Sequence, residues 1–378
     1  TAAPADSSAP PAANASGVPA AAAPVPGAVP VQGSAPAIGE KVTVSTDVFK
    51  ATIDGEGGTL SELQLLKFLD QTNHHGLVEW ARRLVGLPVP QNEVNPVLLM
   101  ENGSPATRYV AQTGLLNTVD TGDRFPNHLS LMTARPGPRE LAEGQNKLEV
   151  VFESQPVGGI KYVKTYVFQR GDYTIRVNHQ VVNVSDKPRD AQLYLQFTRH
   201  GTVAAGTMFG TNTFTGPAIY TEQKKFQKIA FTDITKGKVE LPAPADNGWV
   251  AMVQHYFVSA WLLNIPGSDT IKREFRVADL GNNLFSVAMV LKLPELAPGA
   301  SQAIDSNLFA GPEEEKKLEA IAPGLDLVKD YGIFAIISKP LYWLLNQLHG
   351  MLGNWGWSIV ALVVLLKAAF YWLNAKAY

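Results

Sequence analysis

The sequence predicts a mainly β protein, an antiparallel β-sandwich, that continues into an amphipathic helix and one apolar helix. Three observations support this fold class. Apolar and polar residues alternate in many segments between residues 41 and 309, which is the pattern of half-buried strands. Leucines recur at helical spacing between residues 341 and 352. The run from Trp355 to Leu373 is almost wholly apolar, and about 20 such residues suffice to cross a membrane.

The predicted strands begin at Lys41 and become dense after Lys147. Glycine-rich or polar turns separate them, such as Gly55 to Gly58 and Gln169 to Asp172. Many strands with polar turns and few helical periods predict an antiparallel sandwich. The strands are expected at Val42 to Ile53, Leu60 to Leu66, Leu148 to Phe152, Ile160 to Phe168, Tyr173 to Val181, Leu193 to Phe197, Val250 to Leu263, Leu284 to Leu291 and Ala303 to Phe309.

Composition excludes several kinds of site. The 378 residues include 32 basic and 34 acidic side chains, which give a formal net charge of -2. A nucleic-acid surface shows a clustered basic excess, so we predict no nucleic-acid partner. The chain contains no cysteine. That absence rules out disulfides, thiol nucleophiles, thiolate metal sites and a lipid-modified cysteine anchor.

No motif points to catalysis, so we predict neither an enzyme nor a cofactor. There is no phosphate loop and no Gly-x-Ser-x-Gly, and no histidine has a metal-binding spacing, so no metal site is predicted. The seven histidines are His74, His75, His128, His179, His200, His255 and His349. A group of aromatic residues fits either a ligand groove or the sandwich core, and core packing is the commoner role. These residues are Tyr220, Phe226, Trp249, Tyr256, Phe257 and Trp261.

The chain divides into four segments. Residues 1–40 are rich in alanine and proline, which oppose helix and sheet, so a disordered linker is predicted. Residues 41–325 are the predicted β-sandwich domain. Its last element is a helix that starts near Pro312, where carboxylates follow, and ends before Pro323. The two C-terminal helices are expected in residues 326–352 and in the remaining segment, 353–378.

The helix predicted within residues 326–352 is amphipathic and carries little charge. Its polar residues, such as Asn346 and Gln347, fall largely on the side opposite the leucines. Two interpretations stay open: a core helix of the sandwich, or a helix that lies on a membrane surface. We favour the second because the apolar face is large and an apolar segment follows at once. That face consists of Leu341, Leu344, Leu345, Leu348 and Leu352.

The last segment is predicted to cross a membrane with one positive charge, Lys367, inside the span. A charge at mid-span costs about 2.5–3.5 kcal/mol. Lys367 therefore either faces protein or trapped water in a functional role, or extends its amine to the lipid headgroups. Aromatic side chains suit the two membrane interfaces, Trp355 and Trp357 at one end and Tyr371 and Trp372 at the other. A chain that stops so soon after this segment is interpreted as a truncated membrane protein.

Several motifs resemble a known family. Near the C-terminus they are Asp330-Tyr331-Gly332-Ile333-Phe334, Ile337-Ser338-Lys339-Pro340-Leu341, Leu348-His349 and Gly353-Asn354-Trp355-Gly356-Trp357-Ser358-Ile359. Upstream, Gly311-Pro312, the segment Ala322 to Leu327 and the segment Gly248 to Phe257 fit the same pattern. Together they resemble the YidC (Oxa/Alb/YidC) family of membrane protein insertases, in its Gram-negative form with a large periplasmic domain. The resemblance is strongest in the C-terminal third of the chain.

The resemblance implies a fold and a location. The β domain would be a periplasmic β-supersandwich similar to galactose-mutarotase-like folds. The amphipathic helix would lie on the periplasmic surface of the bacterial inner membrane, and the last helix would be the first of five core helices. Mutarotase-like folds raise the prospect of sugar binding, but a fold alone does not carry an activity.

The resemblance also assigns a role to Lys367. The family has a positive residue here, usually arginine, that faces a hydrophilic groove and attracts acidic or polar parts of a nascent chain. Lysine keeps the charge and loses the bidentate geometry of arginine. Some members carry a hydroxyl one turn earlier, where this chain has Val363. Lys367 is therefore the candidate groove charge.

Two functions fit the sequence. The favoured one is a membrane protein insertase and chaperone that helps the insertion, folding and assembly of inner-membrane proteins, alone or with the Sec translocon. Its expected partners are nascent membrane proteins, the Sec translocon with its accessory subunits, and the lipid bilayer. The alternative is a membrane-tethered periplasmic protein that binds carbohydrate or resembles an epimerase, for which the sandwich and its aromatic residues argue.

Overall fold

The computed structural model describes residues 39–70, 84–85, 95–117, 124–202, 214–263, 271–329 and 335–377. Within these ranges the chain forms an eight-stranded and a nine-stranded sheet, together with a small number of helices. Nearly all of the predicted linker, residues 1–38, lies outside the described residues.

The elements follow one another in this order. The strands are β1 Lys41–Ser45, β2 Phe49–Asp54, β3 Thr59–Leu69, β4 Pro96–Met100, β5 Tyr109–Asn117, β6 Met132–Ala134, β7 Lys147–Ser154, β8 Ile160–Gln169, β9 Thr174–Asn183, β10 Ala191–His200, β11 Gly216–Thr221, β12 Lys225–Lys228, β13 Trp249–Val253, β14 Phe257–Leu262, β15 Arg273–Asp279, β16 Leu284–Lys292 and β17 Ser301–Pro312. The α-helices are α1 Phe231–Thr235, α2 Glu315–Ile321, α3 Ala335–Leu352 and α4 Trp355–Ala377, and a 3-10 helix spans Leu325–Val328.

The two sheets confirm the predicted antiparallel β-sandwich. The first sheet has the order β1-β2-β3-β5-β10-β16-β15, with β4 beside β3. The second sheet has the order β12-β11-β13-β14-β17-β9-β8-β7-β6. The hairpin of β8 and β9 pairs Ile160 with Asn183 and closes at a turn that contains Gly171, whose φ is 73°. Every predicted strand region overlaps at least one observed strand.

The core lies between the two sheets. In β9, burial alternates residue by residue, as the sequence pattern predicts. Trp261 of the second sheet is fully buried, and its indole Nε1 donates a hydrogen bond to the backbone oxygen of Gln196 in the first sheet, at 3.2 Å. This contact ties the two layers together at the centre of the molecule.

Most of the aromatic residues that fitted either a groove or the core are in the core. Tyr220, Trp249 and Trp261 are buried, and Phe226 and Phe257 are half-buried against it. Tyr256 is different, because its side chain is 68% exposed. The core interpretation is wrong for Tyr256, which follows β13 in a surface turn and therefore does not share the inward alternation of the strands.

A smaller core covers the outer face of the second sheet. The predicted helix after Pro312 is confirmed as α2, which ends before Pro323. Leu318 of α2 and Leu325 of the 3-10 helix pack in this core with Trp249. The indole Nε1 of Trp249 also donates a hydrogen bond to the backbone oxygen of Pro323, at 3.0 Å.

Candidate functional site

Two regions carry chemistry that could serve a function: the pair of C-terminal helices with Lys367, and a polar cleft in the sandwich. The helices α3 and α4 meet at a sharp corner. Gly353 has a φ of 63° and its N–H donates to the backbone oxygen of His349, which ends α3. The side chain of Asn354 accepts a hydrogen bond from the N–H of Trp357 and so begins α4. The rings of His349 and Trp355 stack across the corner.

The structure brings the predicted apolar face of α3 together on one helix. Leu341, Leu344, Leu345 and Leu348 are half-buried, and Leu352 is exposed. The neighbouring Trp343 is 63% exposed. One contact links α3 to the sandwich side of the chain: the Lys329 amine lies 4.7 Å from the centre of the Tyr342 ring.

The helix α4 exposes apolar side chains along its length. Val364 is 60% exposed, and the other exposed apolar residues are Ile359, Val360, Val363, Leu365 and Phe370. Lys367 is also exposed, and it has no hydrogen bond or ion pair to another described residue. It is the only charged residue between Trp355 and Leu373.

Three of the four predicted interface anchors are at the surface. Trp355, Trp357 and Tyr371 are exposed, and the side chain of Trp372 lies outside the described residues. Among the described residues, no helix combines the length and the apolar character that a membrane crossing requires.

The polar cleft lies at the outer face of the first sheet, where β3, β5, β10 and β16 meet a loop. Its volume is about 170 Å³. The sequence did not predict it. The lining residues are Asp54, Glu56, Thr59, Asn102, Arg108, Gln112, His128, Leu129, Gln196, Thr198, Leu280 and Leu284.

Three side chains on neighbouring strands form the polar floor of the cleft. The Gln196 amide Nε2 donates to Gln112 Oε1 at 3.0 Å and to Thr198 Oγ1 at 3.1 Å. The Thr198 hydroxyl in turn donates to Gln112 Oε1 at 2.8 Å. All three side chains are buried. This network fixes the orientation of both amides, since each has one end that is engaged.

A histidine is held at one side of the cleft. The hydroxyl of Tyr194 accepts a hydrogen bond from the backbone N–H of His128 at 3.0 Å and lies 2.6 Å from His128 Nδ1. The tautomer of the ring sets the direction of this second hydrogen bond, and Nε2 takes no part in it. Burial, followed by the positive charges of Lys164 and Arg108, lowers the pKa of His128 to about 4. The imidazole is thus neutral at pH 7.

The position of the Tyr194 side chain requires a glycine at residue 114. Gly114 of β5 pairs with Tyr194 of β10, and a Cβ on Gly114 would overlap the Tyr194 hydroxyl. Only glycine leaves room for this side chain to cross the sheet and reach His128. Gly114 also lies against Asn127, the neighbour of His128 in the loop, so the position of the imidazole depends on this strand residue.

Buried donors hold the turn that carries Glu56. The fully buried amine of Lys164 donates to the backbone oxygens of Gly57 and Thr113, and the Tyr166 hydroxyl donates to the oxygen of Gly58 at 2.6 Å. Burial lowers the pKa of Lys164 well below its usual value. These bonds satisfy carbonyl groups that would otherwise be buried without partners.

The carboxyl groups of the cleft are close in sequence. The backbone N–H of Glu56 donates to Asp54 Oδ1 at 3.0 Å. Burial and the neighbouring Asp54 carboxylate raise the pKa of Glu56, while the positive charge of Arg108 opposes the shift. The cleft thus contains two acidic groups and one guanidinium. Within the described ranges, no three histidine or acidic residues converge as metal ligands.

Comparison with known proteins decides the family. The family model described as the YidC periplasmic domain matches residues 88–344 of this chain. The chain belongs to this family. The YidC family match ends inside α3, so it includes the whole of the sandwich after β3.

Curated relatives carry the same family name over most of the chain. Proteins named "Membrane protein insertase YidC" from Janthinobacterium sp. (strain Marseille) and Cupriavidus metallidurans are 42% and 45% identical, over 97% and 90% of this chain. A third from Burkholderia thailandensis is 46% identical over 89% of it. The matches cover 57%, 56% and 55% of those relatives, so the chain spans little more than half the length of the curated relatives that it matches.

Solved structures that resemble the chain include sugar epimerases and related proteins. A galactose mutarotase related enzyme from Lactobacillus acidophilus is 10% identical, with a TM-score of 0.41, and the match covers 72% of this chain and 97% of that one. A putative aldose 1-epimerase from Escherichia coli K12 is 13% identical, with a TM-score of 0.38, over 72% and 98%. At these values the likeness carries no argument about activity.

Proposed function

We propose that this chain serves membrane protein insertion: it helps inner-membrane proteins to insert, fold and assemble. Membership of the YidC family is the observation that carries the proposal. The chain has about half the length of its relatives, so the activity is proposed for the product of the complete open reading frame. The sandwich would lie in the periplasm, and the helices α3 and α4 would lie at the inner membrane.

Helix α3 is proposed to lie on the periplasmic membrane surface. Its leucine face and the exposed Trp343 have the composition of a helix whose apolar side enters the headgroup boundary. The stacking of Lys329 on Tyr342 would hold this helix beside the 3-10 helix of the sandwich. The boundary between the domain and the surface helix, near residue 326, belongs to the same proposal.

Helix α4 is proposed to enter the bilayer. Its supporting feature is an apolar surface without cover, because Val364 and its neighbours are exposed. In water such a surface is unfavourable, at about 25 cal/mol per Å² of exposed apolar area. In a lipid bilayer the same surface is favourable, and Trp355, Trp357, Tyr371 and Trp372 would then lie near the two interfaces.

Lys367 is proposed to attract acidic or polar segments of a nascent membrane protein. It is the only charge in the apolar part of α4, and α4 offers it no counter-ion. At 4 Å and an effective dielectric constant of about 20, a carboxylate and an ammonium attract each other by about 4 kcal/mol. That attraction is similar to the cost of about 2.5–3.5 kcal/mol for one charge at mid-membrane.

The proposed partners are nascent membrane proteins, the lipid bilayer, and the Sec translocon with its accessory subunits. Family membership supports the first two. The Sec translocon is carried over from the resemblance as a partner of the sandwich domain, without assigned residues. No nucleic-acid partner is proposed, because the acidic and basic residues nearly balance.

A reconstitution assay with Lys367 variants tests the proposal. The product of the complete open reading frame is placed in vesicles, and insertion of a substrate with an acidic translocated tail is measured by protease protection. We expect Lys367→Leu to reduce insertion at least about tenfold, which corresponds to about 1.4 kcal/mol, and Lys367→Arg to retain it. Lys236→Leu, which changes an exposed lysine of the sandwich, is the matched control.

The outcomes distinguish the proposed role of Lys367 from the proposed insertase function of the protein. Full insertion by Lys367→Leu would remove the role given to Lys367 and leave the insertase proposal in place. A wild-type protein that inserts no more substrate than empty vesicles would overturn the insertase proposal itself.

A further inference from the structure

The cleft in the sandwich is not used by the proposed insertase chemistry, yet its polar groups are held in place. Gln112, Gln196 and Thr198 are locked to one another, and His128 is locked to Tyr194. Buried polar groups that are fixed by a network but retain unused hydrogen-bonding capacity are typical of binding sites. The cleft therefore has the features of a binding site for a ligand whose hydrogen-bonding groups complement these side chains.

The cleft offers both donors and acceptors. The Arg108 Nε is a donor that is buried with no hydrogen-bond partner. The bond to Tyr194 engages only Nδ1 of His128 and leaves Nε2 for a ligand. The buried Thr59 hydroxyl also has no partner and can donate or accept. The Gln112 amide nitrogen and the Gln196 carbonyl oxygen are the ends of the two amides that the floor network leaves unused.

The charges of the cleft disfavour a strongly anionic ligand. Asp54 and Glu56 contribute two carboxyl groups, and Arg108 contributes one positive charge. His128 is neutral at pH 7, with a pKa of about 4. A phosphate would meet two acidic groups with only one cation. A neutral ligand whose groups both donate and accept avoids this repulsion and can pair with both the donors and the acceptors of the cleft.

The volume and the apolar lining of the cleft further limit the size and the kind of ligand that fits. A volume of about 170 Å³ equals the space of about five or six waters at about 30 Å³ each. That space suits one ring or one short polyol. Leu129, Leu280 and Leu284 are the leucines of the lining, and they can cover C–H groups of such a ligand.

We propose that this cleft binds a neutral polyhydroxylated ligand, a single sugar ring either free or as the glycosyl group of a lipid. Each sugar hydroxyl both donates and accepts, so it can pair with the mixed set of groups on Gln112, Gln196, Arg108 and His128. The lining leucines would contact the ring carbons. Binding, without chemical conversion of the sugar, is the extent of the proposal.

Saturation-transfer NMR on the intact chain tests the proposal. The chain is kept in a detergent that has no sugar headgroup and is titrated with D-glucose, D-galactose or N-acetylglucosamine up to tens of millimolar. We expect at least one sugar to bind with a dissociation constant in the millimolar range, which corresponds to about 4 kcal/mol of binding free energy. A second arm uses vesicles with and without a glucosyl diacylglycerol, and retention of the chain on the glycolipid vesicles alone indicates the lipid-linked source.

Two glutamines on one strand give a matched pair of variants. Gln196→Leu removes a cleft amide, whereas Gln192→Leu changes the same residue type on the same face of β10, four residues away and outside the cleft lining. We expect Gln196→Leu to weaken binding at least about tenfold and Gln192→Leu to leave it unchanged. Arg108→Lys, with circular dichroism to confirm the fold, is the second cleft variant should Gln196→Leu unfold.

The results either support or overturn the site. Loss of binding in Gln196→Leu or Arg108→Lys, but not in Gln192→Leu, supports the cleft. Absence of sugar binding in both arms overturns the proposal. Equal binding by wild type and by a folded cleft variant also overturns it, since the sugar then binds elsewhere.

Discussion

The sandwich and the helical pair α3–α4 differ in the burial and the hydrogen bonding of the same kinds of side chain. In the sandwich, Trp261 is fully buried and its N–H is bonded across the sheets. In α4, Trp357 is 68% exposed and Val364 is 60% exposed. The buried amine of Lys164 has two carbonyl partners, whereas Lys367 is exposed and has no partner among the described residues.

This contrast supports the different surroundings that are proposed for the two regions. A sandwich that hides its apolar side chains and pairs its buried polar groups is stable in water. A helix that turns apolar side chains outward is stable against lipid. One chain that contains both fits the proposed position at a boundary between water and membrane.

The largest expected difference between the two regions is in the cost of losing a tryptophan. Trp261→Ala should lower the free energy of unfolding of the sandwich by about 3–5 kcal/mol, because it leaves a cavity between the sheets. Trp357→Ala, the matched control, should change it by less than about 0.5 kcal/mol, because that side chain packs against little. Urea denaturation followed by near-ultraviolet circular dichroism measures both. Equal losses of unfolding free energy in the two variants would contradict the difference in packing between the two regions.

A smaller effect follows from the neutral histidine of the cleft. The pKa of His128 is about 4 in the folded protein and about 6.5 in an unfolded chain. Between these values the unfolded state binds a proton that the folded state does not bind. The free energy of unfolding should therefore fall as pH falls from about 6.5 to about 4, by up to about 1.4 kcal/mol per pH unit from this group.

Variants isolate the contribution of His128. In His128→Gln the slope of the free energy of unfolding against pH should decrease in this range. The decrease corresponds to at most one bound proton, which is about 1.4 kcal/mol per pH unit. His255→Gln, which changes an exposed imidazole, is the control variant. The buried His179 contributes in the same direction, because burial lowers its pKa well below the usual value, so part of the slope remains in both variants. An unchanged slope in His128→Gln would contradict the assignment.

Local patterns allowed much of the fold to be predicted. Strand β9 alternates because one face is in the core and the other is not. Helices α2, α3 and α4 were predicted because their start and end signals and their period lie within one segment. Strand β5 was missed because it is buried along nearly its whole length, so its sequence shows no alternation between inside and outside.

The cleft was not predicted, for a different reason. Its floor joins Gln112 to Gln196, which are 84 residues apart, and a pairing of strands brings them together. Nothing near either glutamine indicates the other. A signal was present in β10, where Gln192, Gln196 and Thr198 place polar residues on one face of a strand whose other face is apolar. The role of Lys367 stays a prediction, because it depends on surroundings beyond the described residues.

The position of α4 relative to lipid tests the central claim most directly. The chain has no cysteine, so a single cysteine at residue 364 or 256 carries the only nitroxide label. The intact chain is reconstituted in lipid vesicles, and the collision rates of each label with oxygen and with a water-soluble nickel complex are measured. We expect Val364→Cys to be accessible to oxygen and shielded from nickel, and Tyr256→Cys on the sandwich surface to be accessible to nickel. A label at residue 364 that is as accessible to nickel as the label at residue 256 would contradict the account.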